Sequence, residues 1–232
     1  MITLPAENVS LKKPSEQKTR YLYVFFSRTP FKTGRFIRLL TNTDYNHVSV
    51  AVDPDFRELY SFARRYRNTP FCAGFVKESG TRFFSGGKAS NVKICALPIT
   101  EEQYLQACRE LKRMQRCANQ YVYNFFSAAV YPLHMRVRIP NAYTCVEFVT
   151  DFILRIGAFP QLLPTHSYTI SELEALLSDY TVYRGVSPLS MEGASQDLFE
   201  TRQSLASATR LTLLANLQLL KSFCKYRIFT KI

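Results

Sequence analysis

The sequence contains no tryptophan, and only three histidines and eight glycines occur in its 232 residues. None of the six cysteines forms a Cys-x-x-Cys pair and no histidine lies at zinc-finger spacing from a cysteine pair, which excludes the common structural zinc motifs. No apolar run is long enough to span a bilayer, since Arg210 and Lys221 interrupt the leucine-rich C-terminal segment. The N-terminus lacks a basic stretch followed by an apolar core, so no signal peptide is expected. We therefore expect a cytoplasmic protein with free thiols and no metal or organic cofactor.

The composition is that of a folded, basic protein. Hydrophobic residues make up 47% of the chain and Phe and Tyr 14%, enough to bury a sizeable core. A formal charge of +12 favours anionic partners, but the basic residues are spread along the chain and indicate no specific nucleic-acid site. Two basic groups are predicted to be solvated faces, with contact to an anionic surface as the alternative. They are a stripe at helical spacing (Arg109, Lys112, Arg113, Arg116) and a loop cluster (Arg64, Arg65, Arg67).

The order of predicted elements indicates an α+β fold. Apolar runs and alternations predict strands at residues 21–26, 47–52, 58–62, 91–97 and 181–184. Capping boxes at Thr100, Thr144 and Thr169 predict three helices, and two more are expected over residues 33–40 and 197–224. Residues 64–90 are predicted to be loop, and residues 121–126 to be extended. Because strands and helices do not alternate regularly, an antiparallel sheet is favoured.

Four segments are predicted along the chain. They are a flexible lead-in at residues 1–20, a catalytic domain at 21–184, a linker at 185–195 and a C-terminal helical extension at 196–232. The extension carries a seam of Leu213, Leu217, Leu220 and Cys224 at helical spacing. We expect this seam to dock on the domain or to pair with a second subunit in a homodimer, with a membrane surface as the alternative.

Cys145 is the predicted nucleophile. Thr144 and Glu147 form a capping box, which places Cys145 at the first position of a helix. Unpaired backbone N–H groups and the positive end of the helix dipole favour the thiolate there. A small buried cysteine at an ordinary helix start is the alternative interpretation, and the position of a histidine decides between the two.

His47 is the predicted general base. Val48, Val50 and Val52 alternate with His47 and Ser49, so the valines face the core and the imidazole stands beside small side chains. A cysteine nucleophile needs such a neighbour to accept its proton and later to protonate the leaving group. A half-exposed strand residue is the alternative interpretation of His47. His134 and His166 lie in irregular segments and are predicted to be surface residues.

Two motifs together resemble the circularly permuted papain-like enzymes, relatives of the NlpC-type cell-wall peptidases that include the YiiX-type amidases. The motifs are Tyr45-Asn46-His47-Val48-Ser49-Val50 and Tyr143-Thr144-Cys145-Val146-Glu147-Phe148-Val149. As in that group, the histidine strand precedes the cysteine helix. The chain departs from the family at Val146, where Ser is frequent, and at Ser49, where Gly is frequent. The resemblance covers roughly residues 21–184 and implies a circularly permuted papain-like (NlpC-type) domain, with an antiparallel sheet packed on the cysteine helix.

The resemblance also implies a polar third residue that orients the imidazole from the strand next to the histidine, typically a glutamate in the permuted amidases. That position falls near Ser61, with Glu58 and Tyr60 as alternatives. A two-residue turn between the strands would place Glu58 near Ala51, and Tyr60 on the face of His47. A bulge would change this register.

The expected activity is amide hydrolysis, in a peptide or a cell-wall-type peptide, through a thioester on Cys145. The backbone N–H of Cys145 is the expected oxyanion donor, with Tyr23 as a second donor. Lipid acyl transfer or thioester hydrolysis, as in the lecithin–retinol acyltransferase group, is an alternative, although Glu147 fits the amidases better. A catalytically silent binding module is the third interpretation. The expected partner is a peptide or an acyl-containing small substrate.

Overall fold

The computed structural model of the chain describes residues 19–28, 44–85, 88–189 and 197–229. In these residues the fold is mixed α+β, with an eight-stranded, mostly antiparallel sheet and five α-helices. The predicted lead-in up to residue 18, the predicted helix over residues 33–40 and most of the predicted linker lie outside the described residues.

The large sheet carries His47. Its strands are β1 (Arg20–Ser27), β2 (His47–Ala51), β3 (Leu59–Arg64), β4 (Ala73–Glu78), β7 (Asn91–Ile99), β8 (Val122–Tyr123), β9 (Ala142–Tyr143) and β10 (Thr181–Val186). The strand order is β10-β7-β1-β2-β3-β4-β8-β9, and neighbouring strands are antiparallel except for the parallel pair β8–β9. A separate two-stranded ribbon consists of β5 (Phe84–Ser85) and β6 (Lys88–Ala89).

The described helices begin where the sequence provides caps. They are α1 (Glu101–Arg116), α2 (Phe125–Val130), α3 (Cys145–Ile156), α4 (Ile170–Leu176) and α5 (Leu205–Phe229). The capping boxes predicted at Thr100, Thr144 and Thr169 are confirmed, because each threonine accepts the N–H three residues on and the side chain there returns to the threonine N–H. Helix α3 ends at Gly157, which adopts the left-handed conformation.

Helix α3 is anchored in the main core. Its apolar stripe packs across β2 and β3, in one cluster with Val48 and Val50. Complete burial of each such side chain stabilises the fold by about 1.5–3 kcal/mol. The stripe therefore holds the start of α3 in place next to the sheet. Its members Val146, Val149, Phe152, Ile153 and Ile156 are all buried.

The prediction that residues 64–90 form a loop is wrong, because this segment contains β4. Gly74 lies inside the strand and lowers its apparent strand propensity. The glycine is required there, since a Cβ at this position would collide with the carbonyl oxygen of Tyr121. The close approach of the Tyr121 backbone thus explains a glycine that the local sequence pattern assigns to a loop.

The segment predicted to be extended at residues 121–126 is only partly so. Strand β8 covers two residues, after which the side chain of Asn124 accepts the N–H of Ser127 at 3.1 Å and caps α2. At the other end of the sheet, β10 continues to Val186, two residues into the predicted linker. Both differences place more of the chain in regular structure than the pattern predicts.

Helix α5 docks on the domain through a different face from the predicted one. Leu219 is buried, and Phe223 stacks on Phe126 with ring centroids 4.9 Å apart. The amide of Gln218 donates to backbone carbonyls on the domain. The predicted seam instead faces outward, with all four of its residues exposed: Leu213, Leu217, Leu220 and Cys224. Among the described helices, none is both long and apolar enough to cross a membrane.

Candidate active site

Cys145 is the first residue of α3 and follows directly from the short strand β9. The capping box takes up the N–H of Glu147, which donates to Thr144 Oγ1 at 3.3 Å, and the N–H of Thr144, which donates to Glu147 Oε2 at 2.7 Å. The N–H of Cys145 lies at the free end of the helix, where intrahelical carbonyls cannot reach it. The thiol is 6% exposed, so it combines the positive end of a helix with exclusion from bulk water.

His47 is the first residue of β2 and contacts a buried carboxylate. Its Nε2 is 2.7 Å from Glu78 Oε1, and the side chain of Cys145 raises the pKa of the same imidazole. Since Nε2 is engaged by the carboxylate, Nδ1 is the nitrogen left for the sulfur. The structure thus brings together the two residues that the sequence singled out, and it adds a glutamate behind them.

Glu78 is the last residue of β4 and is buried. Besides His47, it accepts hydrogen bonds from Ser49 Oγ at 2.5 Å and from Ser61 Oγ at 2.8 Å. The two serines face each other across β2 and β3, because Val50 pairs with Tyr60. A carboxylate held by two hydroxyls has little freedom to turn, so it fixes the imidazole that it contacts.

The charged forms of His47 and Glu78 stabilise each other. Burial disfavours the imidazolium, but the charge of Glu78 and the hydrogen bond with Cys145 outweigh it and raise the pKa of His47 to about 10. Burial likewise disfavours the carboxylate, yet the charge and hydrogen bond of His47, with the nearby charge of Arg82, lower the pKa of Glu78. At neutral pH the pair is therefore ionised, with the imidazolium next to Cys145.

The predicted third residues occupy other positions. The pairing of Val50 with Tyr60 differs by one residue from the predicted register, so Ser61, and not Tyr60, shares the face of His47. Ser61 contacts the site by donating to Glu78 rather than to the imidazole. The Glu58 carboxylate binds Lys77 Nζ at 2.6 Å and the Tyr60 hydroxyl, which leaves neither alternative beside His47.

Tyr23 does not lie near the thiol, which corrects its prediction as an oxyanion donor. It pairs with Ala51, and its ring packs on Phe56 with centroids 5.4 Å apart. Ser27 is the β1 residue that pairs with His47, so Tyr23 is about 13 Å further along the strand. For Tyr123 on β8, burial and then the charges of Cys145 and Glu147 raise the pKa of the phenol.

A buried ion pair supports the turn that follows Glu78. The guanidinium of Arg82 binds Asp197 through two hydrogen bonds, of 2.7 and 2.8 Å. Asp197 also accepts from the N–H and hydroxyl of Ser79, at 3.1 and 2.8 Å. Asp197 belongs to the segment predicted as the C-terminal extension. That segment therefore holds Ser79, the residue that follows Glu78.

Glu78 and Asp197 are the site residues that the sequence analysis missed. Glu78 ends a strand that the pattern assigned to a loop, and Asp197 acts from 115 residues beyond Arg82. The short apolar run Phe75-Val76, which ends two residues before Glu78, is the one local signal of a strand at this position. Within the described part of the chain, no group of three or more His, Cys, Asp or Glu side chains is arranged to hold a metal ion.

Comparison of the chain with protein-family models, with curated proteins and with solved structures finds no significant match. The function is therefore inferred from the chemistry of Cys145, His47 and Glu78. These residues are a thiol at a helix start, an imidazole whose pKa that thiol raises, and a buried carboxylate hydrogen-bonded to the imidazole.

Proposed function

We propose that this chain is a cysteine-dependent hydrolase that cleaves an amide, in a peptide or a cell-wall-type peptide, through a thioester intermediate. Cys145 is the nucleophile, His47 the general acid–base and Glu78 the residue that orients the imidazole. The observation that carries the proposal is the 2.7 Å contact of His47 with a buried carboxylate, on an imidazole whose pKa the side chain of Cys145 also raises. An activated nucleophile whose base is held by a third group has this arrangement.

In the proposed reaction, His47 holds the proton of Cys145 as the imidazolium, and the thiolate attacks the amide carbonyl carbon. The C–S bond forms, and the negative charge on oxygen is stabilised by the N–H of Cys145. The imidazolium then protonates the leaving amine as the C–N bond breaks, which leaves a thioester. Water attacks the thioester while His47 accepts its proton. The C–S bond then breaks, which releases the acid and restores the thiolate of Cys145 beside the imidazolium of His47. Glu78 stays ionised throughout and stabilises the imidazolium.

We further propose a circularly permuted papain-like domain. The antiparallel sheet, the packing of α3 across β2 and β3, and the order in which the histidine strand precedes the cysteine helix support it. The orienting carboxylate comes from β4, two strands away from the histidine in the sheet order. Ser61, on the strand between them, carries a hydrogen bond to that carboxylate instead of contacting the imidazole.

Acylation by an activated ester tests the chemistry without knowledge of the natural substrate. Treated with p-nitrophenyl acetate, the protein is expected to release p-nitrophenol in a burst and to carry an acetyl group on Cys145, located by mass spectrometry. Cys145→Ala and His47→Ala should abolish the burst, whereas Cys224→Ala, which removes an exposed thiol, should not. A burst that survives Cys145→Ala, or no acylation at all, would favour a silent binding module.

Lipid acyl transfer or thioester hydrolysis is a second candidate. The observation that favours it is the outward apolar face of α5, which would bring the domain to acyl chains. The same Cys145–His47 pair would form the thioester, and a lipid hydroxyl or water would resolve it. Transfer from a short-chain phospholipid to Cys145, with no cleavage of any peptide amide, would support this candidate over amide hydrolysis.

A further inference from the structure

Helix α5 presents a continuous apolar strip on the side turned away from the domain. Leu213, Leu214, Leu217 and Leu220 are 46–58% exposed, and Leu205 at the start of the helix is 86% exposed. Leu213, Leu217 and Leu220 follow one face of a helix, since they lie four and three residues apart, and Leu214 lies next to Leu213. Exposed leucines concentrated on a single helix form an apolar patch, and such patches mark interaction surfaces.

The same side of α5 is positively charged. Arg210, Lys221 and Lys225 are exposed and lie among or beside the leucines. From Leu205 to the end of the sequence there is no Asp or Glu, whereas this segment also contains Arg227 and Lys231. A strip that combines leucines with cations, and contains no anion to neutralise them, is complementary to a surface that is apolar beneath an anionic layer.

The docked side of α5 leaves the strip free. Leu219 and Phe223 pack on the domain, and the amides of Gln218 and Asn216 donate to domain carbonyls. Asn216 binds the backbone carbonyl of Phe71. The helix is thus fixed by one side and offers the other to a partner.

We propose that this strip docks the protein on the surface of an anionic lipid bilayer, with α5 lying parallel to the membrane. Leucines would enter the acyl boundary, and the long basic side chains would extend to the lipid phosphates. A second copy of the chain is a poorer occupant, because pairing two such strips would oppose cations with no acidic side chain between them. The proposal does not depend on the chemistry at Cys145.

Sedimentation with vesicles tests the proposal. The full-length protein is expected to bind vesicles that contain phosphatidylglycerol, to bind phosphatidylcholine vesicles at least about tenfold more weakly, and to be released by high salt. The double variant Lys221→Gln/Lys225→Gln should weaken binding to the anionic vesicles about tenfold or more. Leu213→Ser/Leu217→Ser should weaken it comparably, and because these side chains are exposed, the far-UV circular dichroism should not change.

The basic stripe of α1 provides the matched control. Arg109→Gln/Lys112→Gln removes the same number of exposed charges from another helix and should leave vesicle binding within about twofold. Equal loss in this control, equal binding to neutral vesicles, or a dimer in light scattering that the Leu213→Ser/Leu217→Ser variant dissociates would each overturn the proposal. Cys145→Ala should bind as the wild type does, so failure here is distinguishable from failure of the proposed hydrolase chemistry.

Discussion

Glu78 Oε1 lies 2.7 Å from His47 Nε2, although the two residues are 31 positions apart and their strands are separated by β3. The glutamate side chain spans this gap along the face shared by Ser49 and Ser61, and both hydroxyls donate to it. The serines therefore complete the hydrogen bonding of a buried carboxylate that would otherwise be unfavourable. This contact determines which nitrogen of the imidazole is left for Cys145.

Replacement of Glu78 by glutamine is expected to lower the rate of acylation by about 10²-fold. The amide keeps the shape of the carboxylate but cannot stabilise the imidazolium, so the ordered, charged form of His47 is lost. Pre-steady-state release of p-nitrophenol measures the change. Glu58→Gln is the matched control, because Glu58 pairs with Lys77 away from the site and its loss should leave the rate unchanged. Equal effects of the two substitutions would contradict the role of Glu78.

Selective alkylation of Cys145 is a second expectation. With limiting iodoacetamide at about pH 6.5, where free thiols are mostly protonated, Cys145 should be modified faster than the exposed Cys224. Cys95 should remain unmodified, since burial raises its pKa. Peptide mapping by mass spectrometry measures each site. His47→Ala should remove the preference for Cys145, and labelling of the wild type at Cys224 before Cys145 would contradict the role of Cys145 as the activated nucleophile.

Local signals were sufficient to place Cys145 at a helix start and His47 on a strand. A capping box located the helix start, and an alternating strand located the imidazole, because both patterns are set by residues within a few positions. The register of β2 and β3 was missed by one residue, since it depends on the turn between them, where Phe56 adopts a left-handed backbone conformation. That single shift moved Ser61 onto the face of the histidine.

Non-local contacts account for what the sequence analysis did not find. Strand β4 contains Gly74 because Tyr121 approaches it closely, so its composition is typical of a loop. The docked face of α5 was misassigned because the stronger leucine periodicity lies on the outward side, whereas Leu219 and Phe223 dock. Periodicity identifies an apolar face, but it does not say whether the domain or an external surface covers it.

The paired charges of His47 and Glu78 predict a pH-dependent stability. The pKa of His47 is raised to about 10, so its contribution is complete below about pH 6.5 and is lost as the pH rises towards 10. The pKa of Glu78 is lowered, so its contribution is complete above about pH 4.3 and is lost as the pH falls through the lowered value. The stabilisation by the pair should therefore be greatest between about pH 5 and 6.5.

Urea unfolding as a function of pH measures this dependence. The difference in unfolding free energy between the wild type and His47→Gln/Glu78→Gln should be largest in that window and should shrink on both sides of it. Other titrating groups contribute equally to both proteins and cancel in the difference. A difference that is constant from about pH 4 to 10 would show that the two residues are not ionised together in the folded state.

The Arg82–Asp197 pair is expected to stabilise the fold and to position Glu78. Asp197→Asn leaves the guanidinium buried with one charge uncompensated, which should lower the unfolding free energy by about 3–5 kcal/mol. Glu200→Gln, which removes the exposed partner of Arg67, should cost about 0–1 kcal/mol and serves as the control.

Because Asp197 also holds the N–H and hydroxyl of Ser79, Asp197→Asn should also slow acylation of the fraction that remains folded. Arg82→Met/Asp197→Leu, which replaces the pair by apolar side chains, should recover much of the stability but not the full acylation rate, since the hydrogen bonds to Ser79 stay lost. Recovery of both would mean that the pair contributes to stability alone and that Glu78 is positioned without it.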